Sequence, residues 1–284
     1  FDIIGRYVGD TKYCALILGA KIVVSSAIQS GKDRILSECF ALNPFNFGYD
    51  GLRKTGDWLF ACGINWIVPH AFHYGYGAYQ RTDAGKSFFY QDRLFPEYLR
   101  FAEYAGRVCK LLEAYKQNNR VLMVLPNEGF NEEVPFPIGN TGVYPSKRAI
   151  EMQNRCYDVV RYFSKNQIGW DITDVDYAQN AELVGKEVVI GRCVYDKVIF
   201  IKGGDLETEA YQRMRNAGID CVMYDGTSFD GFPAAYGITG DNANVLAYKK
   251  YGEKGELLYL YQNGYHFAEI GVPVDADKPV WVYD

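Results

Sequence analysis

The sequence predicts a multi-part α/β protein, and three observations carry that expectation. Helix-like and strand-like segments alternate along the first 118 residues, a second alternating set restarts at Arg120, and a hairpin pattern takes over from residue 236. Such alternation is the rhythm of a parallel sheet covered by helices. At 284 residues the chain has room for two or three such units and a sizeable core.

The first unit is assigned to residues 1–118. Residues 11–29 (TKYCALILGAKIVVSSAIQ) are mostly apolar, free of proline and open on a capping Thr11, which reads as a helix. Ser30–Asp33 breaks it, and the short branched run ILSE at 35–38 reads as a buried strand. A loop rich in Asn, Phe and Gly follows. Residues 50–62 (DGLRKTGDWLFAC) bring Leu52, Trp58, Leu59 and Cys62 near one helical face, and Gly63 stops that helix. Trp66-Ile67-Val68 is a second buried strand, followed by the polar, aromatic stretch PHAFHYGYGAYQRTD and a long helix from about Pro96 to Asn118. Two strands in 118 residues fall short of a closed (β/α)8 barrel, which needs roughly 250.

The second unit is assigned to residues 119–235. Val121–Pro126 is a strand, a proline-rich loop runs to Pro145, and Ser146 caps a helix reaching about Asn166. Strands follow at Gly169–Ile172, Asp196–Ile201 and Cys221–Tyr224, with a helix around Glu207–Ala217 ending at Gly218. That is a small α/β unit of flavodoxin-like rhythm. The β-rich remainder, 236–284, holds a hairpin (Asn244–Tyr251, a GEKGE turn, Leu257–Gln262), a second turn signal at Asn263-Gly264 and a last strand at Pro279–Tyr283.

Composition narrows the function. Net charge is −5 with no polybasic block, which argues against a nucleic-acid partner. No apolar run approaches the roughly 20 residues of a membrane span. Seven scattered cysteines without a CxxC argue against a zinc ribbon or thioredoxin-like site and are read as reduced thiols. The chain opens on Phe1 with no signal peptide, read as the loss of an upstream segment, and its compartment (cytoplasm or exported) stays open. No cofactor is expected. Gly75-Tyr76-Gly77 lacks the third glycine of a dinucleotide fingerprint, and Gly203-Gly204 lacks the Lys-Ser/Thr of a phosphate loop. Asp171, Asp174 and Asp176 offer oxygen ligands for a structural calcium, yet lack the glycine and distal glutamate of a calcium loop. A helix-start cluster is the preferred reading.

Glu38 is the main candidate for chemistry. Desolvating a carboxylate at a strand end is costly, so it either pairs with Arg34, Arg53 or Lys54 or faces a working cleft. His70 and His73, at i and i+3, lack a third metal ligand nearby. They are read as donors to a substrate hydroxyl, as groups orienting a carboxylate, or as structural histidines. Aromatics are plentiful (24 Tyr, 17 Phe, 4 Trp), and Tyr74, Tyr76 and Tyr79 form either a stacking wall for a ring-shaped ligand or a loop anchor. Arg81, Asp83 and Asp92 are solvated loop charges by default and substrate contacts second.

Three stretches, RILSECFA, DWLFACGINWIVPHAFHY and PEYLRFAEYAGRVCKLLEAYKQNNRVLMVLP, resemble the last βα units of family-2-like and family-106-like glycoside hydrolase barrels, the latter including α-L-rhamnosidases. GWDITDVDY, YDKVIFIKGG and AGIDCVMYDG are similar to the flavodoxin- or amidotransferase-like domain that follows such barrels, as in family 42 β-galactosidases. The resemblance spans roughly residues 25–225. It implies a partial (β/α)8 barrel, with Ser37-Glu38 ending strand seven where retaining enzymes carry the nucleophile, and His70 facing the sugar at strand eight. Asn43, Trp66, His73, Tyr74, Tyr76, Arg81 and Asp83 would join His70 as sugar contacts. It departs from the pattern in lacking the acid partner, which such barrels carry on strand four. The implied protein is the C-terminal part of a glycosidase, inactive alone, acting on a glycoside or polysaccharide and partnered by the rest of its own polypeptide, with a homo-oligomer an open option. Two alternatives are weighed: a non-catalytic carbohydrate-binding or assembly module, and a nucleotide- or flavin-binding unit at 120–225.

Overall fold

The structure, a computed structural model, describes residues 11–44, 46–75, 77, 85–133, 146–232, 236–240, 244–263 and 268–282. Helix α1 (Thr11–Gln29) leads into strand β1 (Leu36–Cys39), helix α2 (Tyr49–Cys62), strand β2 (Trp66–Pro69) and helix α3 (Phe95–Ala114). Gly63 ends α2 in the left-handed region (φ 105°), where the amides of Gly63 and Ile64 return to the Phe60 and Leu59 carbonyls at 3.0 Å. The third helix stops at Ala114, four residues short of expectation. Tyr115 turns extended, and Lys116 exchanges both backbone hydrogen bonds with Tyr251 at 2.7 Å. A cross-strand partner 135 residues away ends the helix, which no local pattern shows.

Strands β1 and β2 pair in parallel, with Ser37 opposite Ile67 and Glu38 opposite Val68. Alternation gives this small sheet two unlike faces. Cys39 and Ile67 pack on a cluster that includes Leu52, Phe60, Phe101 and Tyr104. The other face carries Leu36, Glu38, Trp66 and Val68, all exposed.

A second sheet is parallel throughout. It contains β3 (Val121–Val124), β4 (Trp170–Thr173), β8 (Lys197–Ile201) and β9 (Asp220–Tyr224) in the order β4-β3-β8-β9. Its strands are apolar runs because both faces are covered. Val121, Met123, Ile172 and Ile199 face α1 and helix α5 (Lys147–Lys165). Leu122, Val124, Val198 and Phe200 face helices α6 (Val175–Asn180) and α7 (Asp205–Asn216). Ser146 caps α5 as expected, its Oγ accepting from the Ala149 amide at 3.0 Å. The proline-rich loop is corrected in part: Asn127–Glu133 is a short helix, α4. Between α6 and β8 lies an unanticipated antiparallel meander, β5 (Glu182–Val184), β6 (Glu187–Ile190) and β7 (Cys193–Tyr195). These elements are three to seven residues long, too short for a period to register.

The hairpin β11 (Val245–Gly252) and β12 (Gly255–Gln262) turns on Glu253-Lys254 and packs against α2. A minor pair joins β10 (Thr239–Gly240) to β13 (Ile270–Gly271). The strand expected at Pro279–Tyr283 is not formed over its described residues, 279–282. Val280, Trp281 and Val282 are exposed there, with no strand beside them among the described residues.

Helix α1 corrects another expectation, for at 19 residues it is long and apolar enough to span a membrane by length and composition. Its inward face, however, is mixed: Tyr13, Cys14, Ile17, Val24 and Ile28 join the core, while Lys21, Ser25 and Gln29 are held by polar partners. Ser25 Oγ accepts from the Ile172 amide at 2.9 Å. Gln29 Nε2 donates to the Ile172 carbonyl (3.0 Å) and to Tyr195 Oη (2.9 Å). Lys21, 7% exposed, lies 3.7 Å from Asp171, itself 1% exposed. Burial pushes the Lys21 ammonium below its ordinary value, and Asp171 opposes that shift. Asp171 also accepts from Asn119 Nδ2 (2.9 Å), Tyr195 Oη (3.1 Å) and Gln117 Nε2.

Removing one member of a buried ion pair leaves the other uncompensated. Asp171→Ala is therefore expected to lower unfolding free energy by about 3–5 kcal/mol in urea titrations. Glu113→Gln, which breaks the exposed pair with Arg34, is expected to cost less than about 1 kcal/mol.

Candidate active site

The carboxyl-terminal ends of β1 and β2 gather the candidate residues. Glu38 is the last residue but one of β1, on the open face of the sheet. Two of the cations weighed as its partners are engaged elsewhere. Arg34 Nε donates to Glu113 at 2.7 Å while its guanidinium stacks 4.5 Å over Trp66, and Arg53 reaches Asp57 at 3.5 Å. Among the described residues no cation pairs with Glu38.

His70 follows β2 directly, and its amide donates to the Cys39 carbonyl at 2.8 Å, extending the strand pairing by one residue. The structure therefore brings His70 to the same end as Glu38, on the neighbouring strand. The rings of His70 and His73 meet edge to face, 6.4 Å between centroids, and the Nδ1 atom of each is buried with no hydrogen-bond partner among the described residues. Unpartnered buried nitrogens of this kind are costly unless another group meets them.

The loop behind the histidines is anchored by a residue that sequence reasoning missed. Ser87, fully buried, accepts from the amides of His73 (3.1 Å) and Phe89 (3.2 Å), and the Phe88 amide donates to the Ala71 carbonyl at 2.9 Å. Phe72 packs edge to face on Tyr98 and Phe89, at 5.1 and 5.7 Å. The KSFFY run was the available signal, an aromatic cluster joined to a small hydroxyl. Asp92 is not a solvated charge but pairs with buried Lys86 at 2.9 Å.

The other candidates divide. Asn43 is half-buried in the loop after β1, where Gly85 (φ 107°) passes so close that an added Cβ would lie 3.3 Å from its amide. Tyr74 is fully exposed. Trp66 opens β2 and so lies a strand length from His70, about 13 Å by rise, with Arg34 over its ring. It shares the open face with Glu38 but not its end of the strand. Tyr76, Arg81 and Asp83 lie outside the described residues, as does Tyr79. Two of the three aspartates weighed for calcium are engaged within the protein, Asp171 as described and Asp174 as the cap of α6, accepting from the Tyr177 amide at 2.9 Å, while Asp176 lies in the first turn of that helix.

The parallel sheet has its own crevice, between β3 and β8, where doubly wound folds receive ligands. Here the chain fills it. Glu128 accepts from the Leu206 amide at 2.6 Å, and Glu207 accepts from the amides of Gly204 (2.7 Å) and Glu128 (3.1 Å). Two carboxylates thus occupy the start of α7, where a phosphate would otherwise sit. Burial raises the Glu207 carboxyl, and those amides pull it back down.

No protein-family model and no curated protein sequence matches the chain. Among solved structures it is similar to a rhamnosidase from Novosphingobium sp. PP1Y, with a TM-score of 0.54 and 15% identity over 86% of this chain. It is more loosely similar to α-L-fucosidase isoenzyme 2 from Paenibacillus thiaminolyticus (TM-score 0.39, 14% identity, 92% of this chain). Gan42B, a GH42 β-galactosidase, matches comparably (TM-score 0.45, 11% identity, 96% of this chain). The chain spans 27%, 36% and 42% of those three chains. The first likeness establishes a shared mixed α/β fold, of a kind found within a glycoside hydrolase.

Ser87→Ala leaves the His73 and Phe89 amides without an acceptor. It is expected to cost about 2 kcal/mol in denaturant unfolding and to expose the segment 71–75 to protease.

Proposed function

We propose that this chain is the C-terminal part of a glycoside hydrolase and supplies Glu38 as one of its two catalytic carboxylates. The observation that carries the reading is the setting of Glu38. It is an exposed carboxylate, free of cation partners among the described residues, at the carboxyl end of a parallel strand and beside His70. Carboxyl ends of parallel strands are where (β/α)8 enzymes hold their chemistry. The fold likeness to a solved rhamnosidase supports the class, although fold alone never fixes function.

Glycosidic cleavage needs a second carboxylate. One protonates the leaving oxygen, and the other attacks the anomeric carbon or activates water, at separations of about 5–5.5 or 6.5–9.5 Å respectively. In this reading Glu38 is the nucleophile or base and the acid comes from upstream in the same polypeptide. His70 and Asn43 hydrogen-bond the sugar, and Tyr74 stacks on it. The open face of β1 and β2, with Leu36, Trp66 and Val68 exposed, is the side against which the remaining barrel strands pack, since parallel sheets are covered on both faces. The order β4-β3-β8-β9 matches four strands of the flavodoxin arrangement, with its ligand crevice closed by Glu128 and Glu207, which favours a structural role for that unit.

Glu38→Gln in the full-length polypeptide is expected to reduce hydrolysis of aryl glycosides by a factor on the order of 10³ or more, with folding unchanged by circular dichroism. A loss under tenfold removes Glu38 from the mechanism. Glycan binding that survives the substitution, in a wild type with no hydrolysis, identifies a carbohydrate-binding module instead. The 284-residue chain alone is expected to give no turnover, and robust cleavage by it would contradict the shared-site reading.

A further inference from the structure

A cavity of about 280 Å³ lies at the opposite, amino-terminal ends of β1 and β2, bounded by the ends of α1 and α3, the β6–β7 turn and β11. Ile35 and Asn65, the residues just before the two strands, line its floor, about 10 Å along β1 from Glu38. It is separate from the site proposed above and does not depend on that reading.

Its charge runs against that of the chain. Five cations line the space: Arg120 is paired with Glu187 and Asp196, Lys116 and Arg192 share the carboxylate of Asp33, and Lys32 and Lys250 complete the set. Lys116 Nζ and Arg192 Nη1 both lie 2.8 Å from Asp33 Oδ1. The other two carboxylates are satisfied elsewhere, Glu113 by Arg34 and Asp171 by Lys21 and its donors. Lys250 is 5% exposed, and its ammonium donates to the Leu112 carbonyl in the last turn of α3, with no carboxylate in ion-pair contact among the described residues. A buried ammonium without a carboxylate in contact is unfavourable unless an anion reaches it. Gln117 and Tyr248, the latter 4% exposed, form part of the wall, and among the described residues Gln117 Oε1 and the Tyr248 hydroxyl have no hydrogen-bond partner.

We propose that this cavity binds a small anion, a carboxylate or phosphate. Lys250, Lys116 and Arg192 supply the charge, with Gln117 and Tyr248 on the wall beside them. The volume holds about nine waters at ~30 Å³ each, or a ligand of monosaccharide size. Burial, then the charge of Lys116, pushes the Lys250 ammonium down to about 8, and an anion beside it would restore the charged form. The charged groups facing Lys250 are Lys116, Asp33, Arg192 and Glu113, with the Tyr248 ring 5.7 Å from its Nζ.

The test is calorimetric titration of this chain with inorganic phosphate, D-glucuronate and neutral D-glucose. Phosphate or glucuronate is expected to bind at least tenfold more tightly than glucose, and which of them binds names the anionic group. Lys250→Met keeps the aliphatic stem and is expected to weaken binding at least tenfold. Arg192→Gln, with folding checked by circular dichroism because Arg192 also donates to the Ile28 and Lys32 carbonyls, should weaken it several-fold, and Glu38→Gln should leave it unchanged. Glucuronate affinity should fall about tenfold from pH 7 to 9 as Lys250 loses its proton, and Lys250→Met should abolish that fall. Equal binding of glucose and glucuronate, or anion binding untouched by both cavity variants or lost in Glu38→Gln, would overturn the proposal.

Discussion

The buried carboxylate of Asp171 is the constraint around which the chain is arranged. A charge that is 1% exposed is tolerable only when its whole hydrogen-bonding capacity is met. Its ligands come from three places: Lys21 and Ser25 on α1, Gln117 and Asn119 between α3 and β3, and Tyr195 on β7. Meeting one group therefore fixes a helix near the amino terminus, an inter-sheet connection and a meander in a single arrangement. Asp57 makes a smaller junction of the same kind, accepting from Tyr104 Oη at 2.6 Å and Tyr259 Oη at 3.0 Å to tie α2, α3 and β12. Burial raises its carboxyl, and those hydroxyls and Arg53 hold it down.

These two junctions explain why the segments share a core. A single apolar cluster runs from Tyr13 on α1 through Trp58, Met123 and Phe163 to Tyr261 on β12. Helix α1 precedes the small sheet in sequence yet packs on β4 and α5 of the large one, and the C-terminal hairpin returns to α2. Support of this kind fixes the position of β1, which alone is only four residues long. The two ends of that strand pair differ in charge, with Glu38 at one and a cluster of lysines and arginines at the other.

What the sequence made legible was whatever a local period or cap encodes. The apolar runs of β3, β4, β8 and β9, the glycine stop at Gly63 and the Ser146 cap all lie within a few residues of expectation. The strand-end position of Glu38 was legible for the same reason. Long-range partners were not. DITDVD reads as a solvent-facing helix start, but Asp171 is the buried member, because ligands such as Ser25, 146 residues away, enclose it. Lys21 and Gln29 look like ordinary exposed positions on an apolar helix until Asp171 and Tyr195 are placed beside them. Ser87 and the end of α3 at Ala114 depend on contacts of the same long-range sort.

Native-state hydrogen exchange tests the role given to Asp171 most directly. The account predicts that the inward-facing amides of α1 exchange with the same opening free energy and denaturant dependence as those of β3 and β4, one cooperative unit locked by the buried charge. Release of the α1 amides through a separate, lower-energy opening, while the large sheet stays protected, would contradict it.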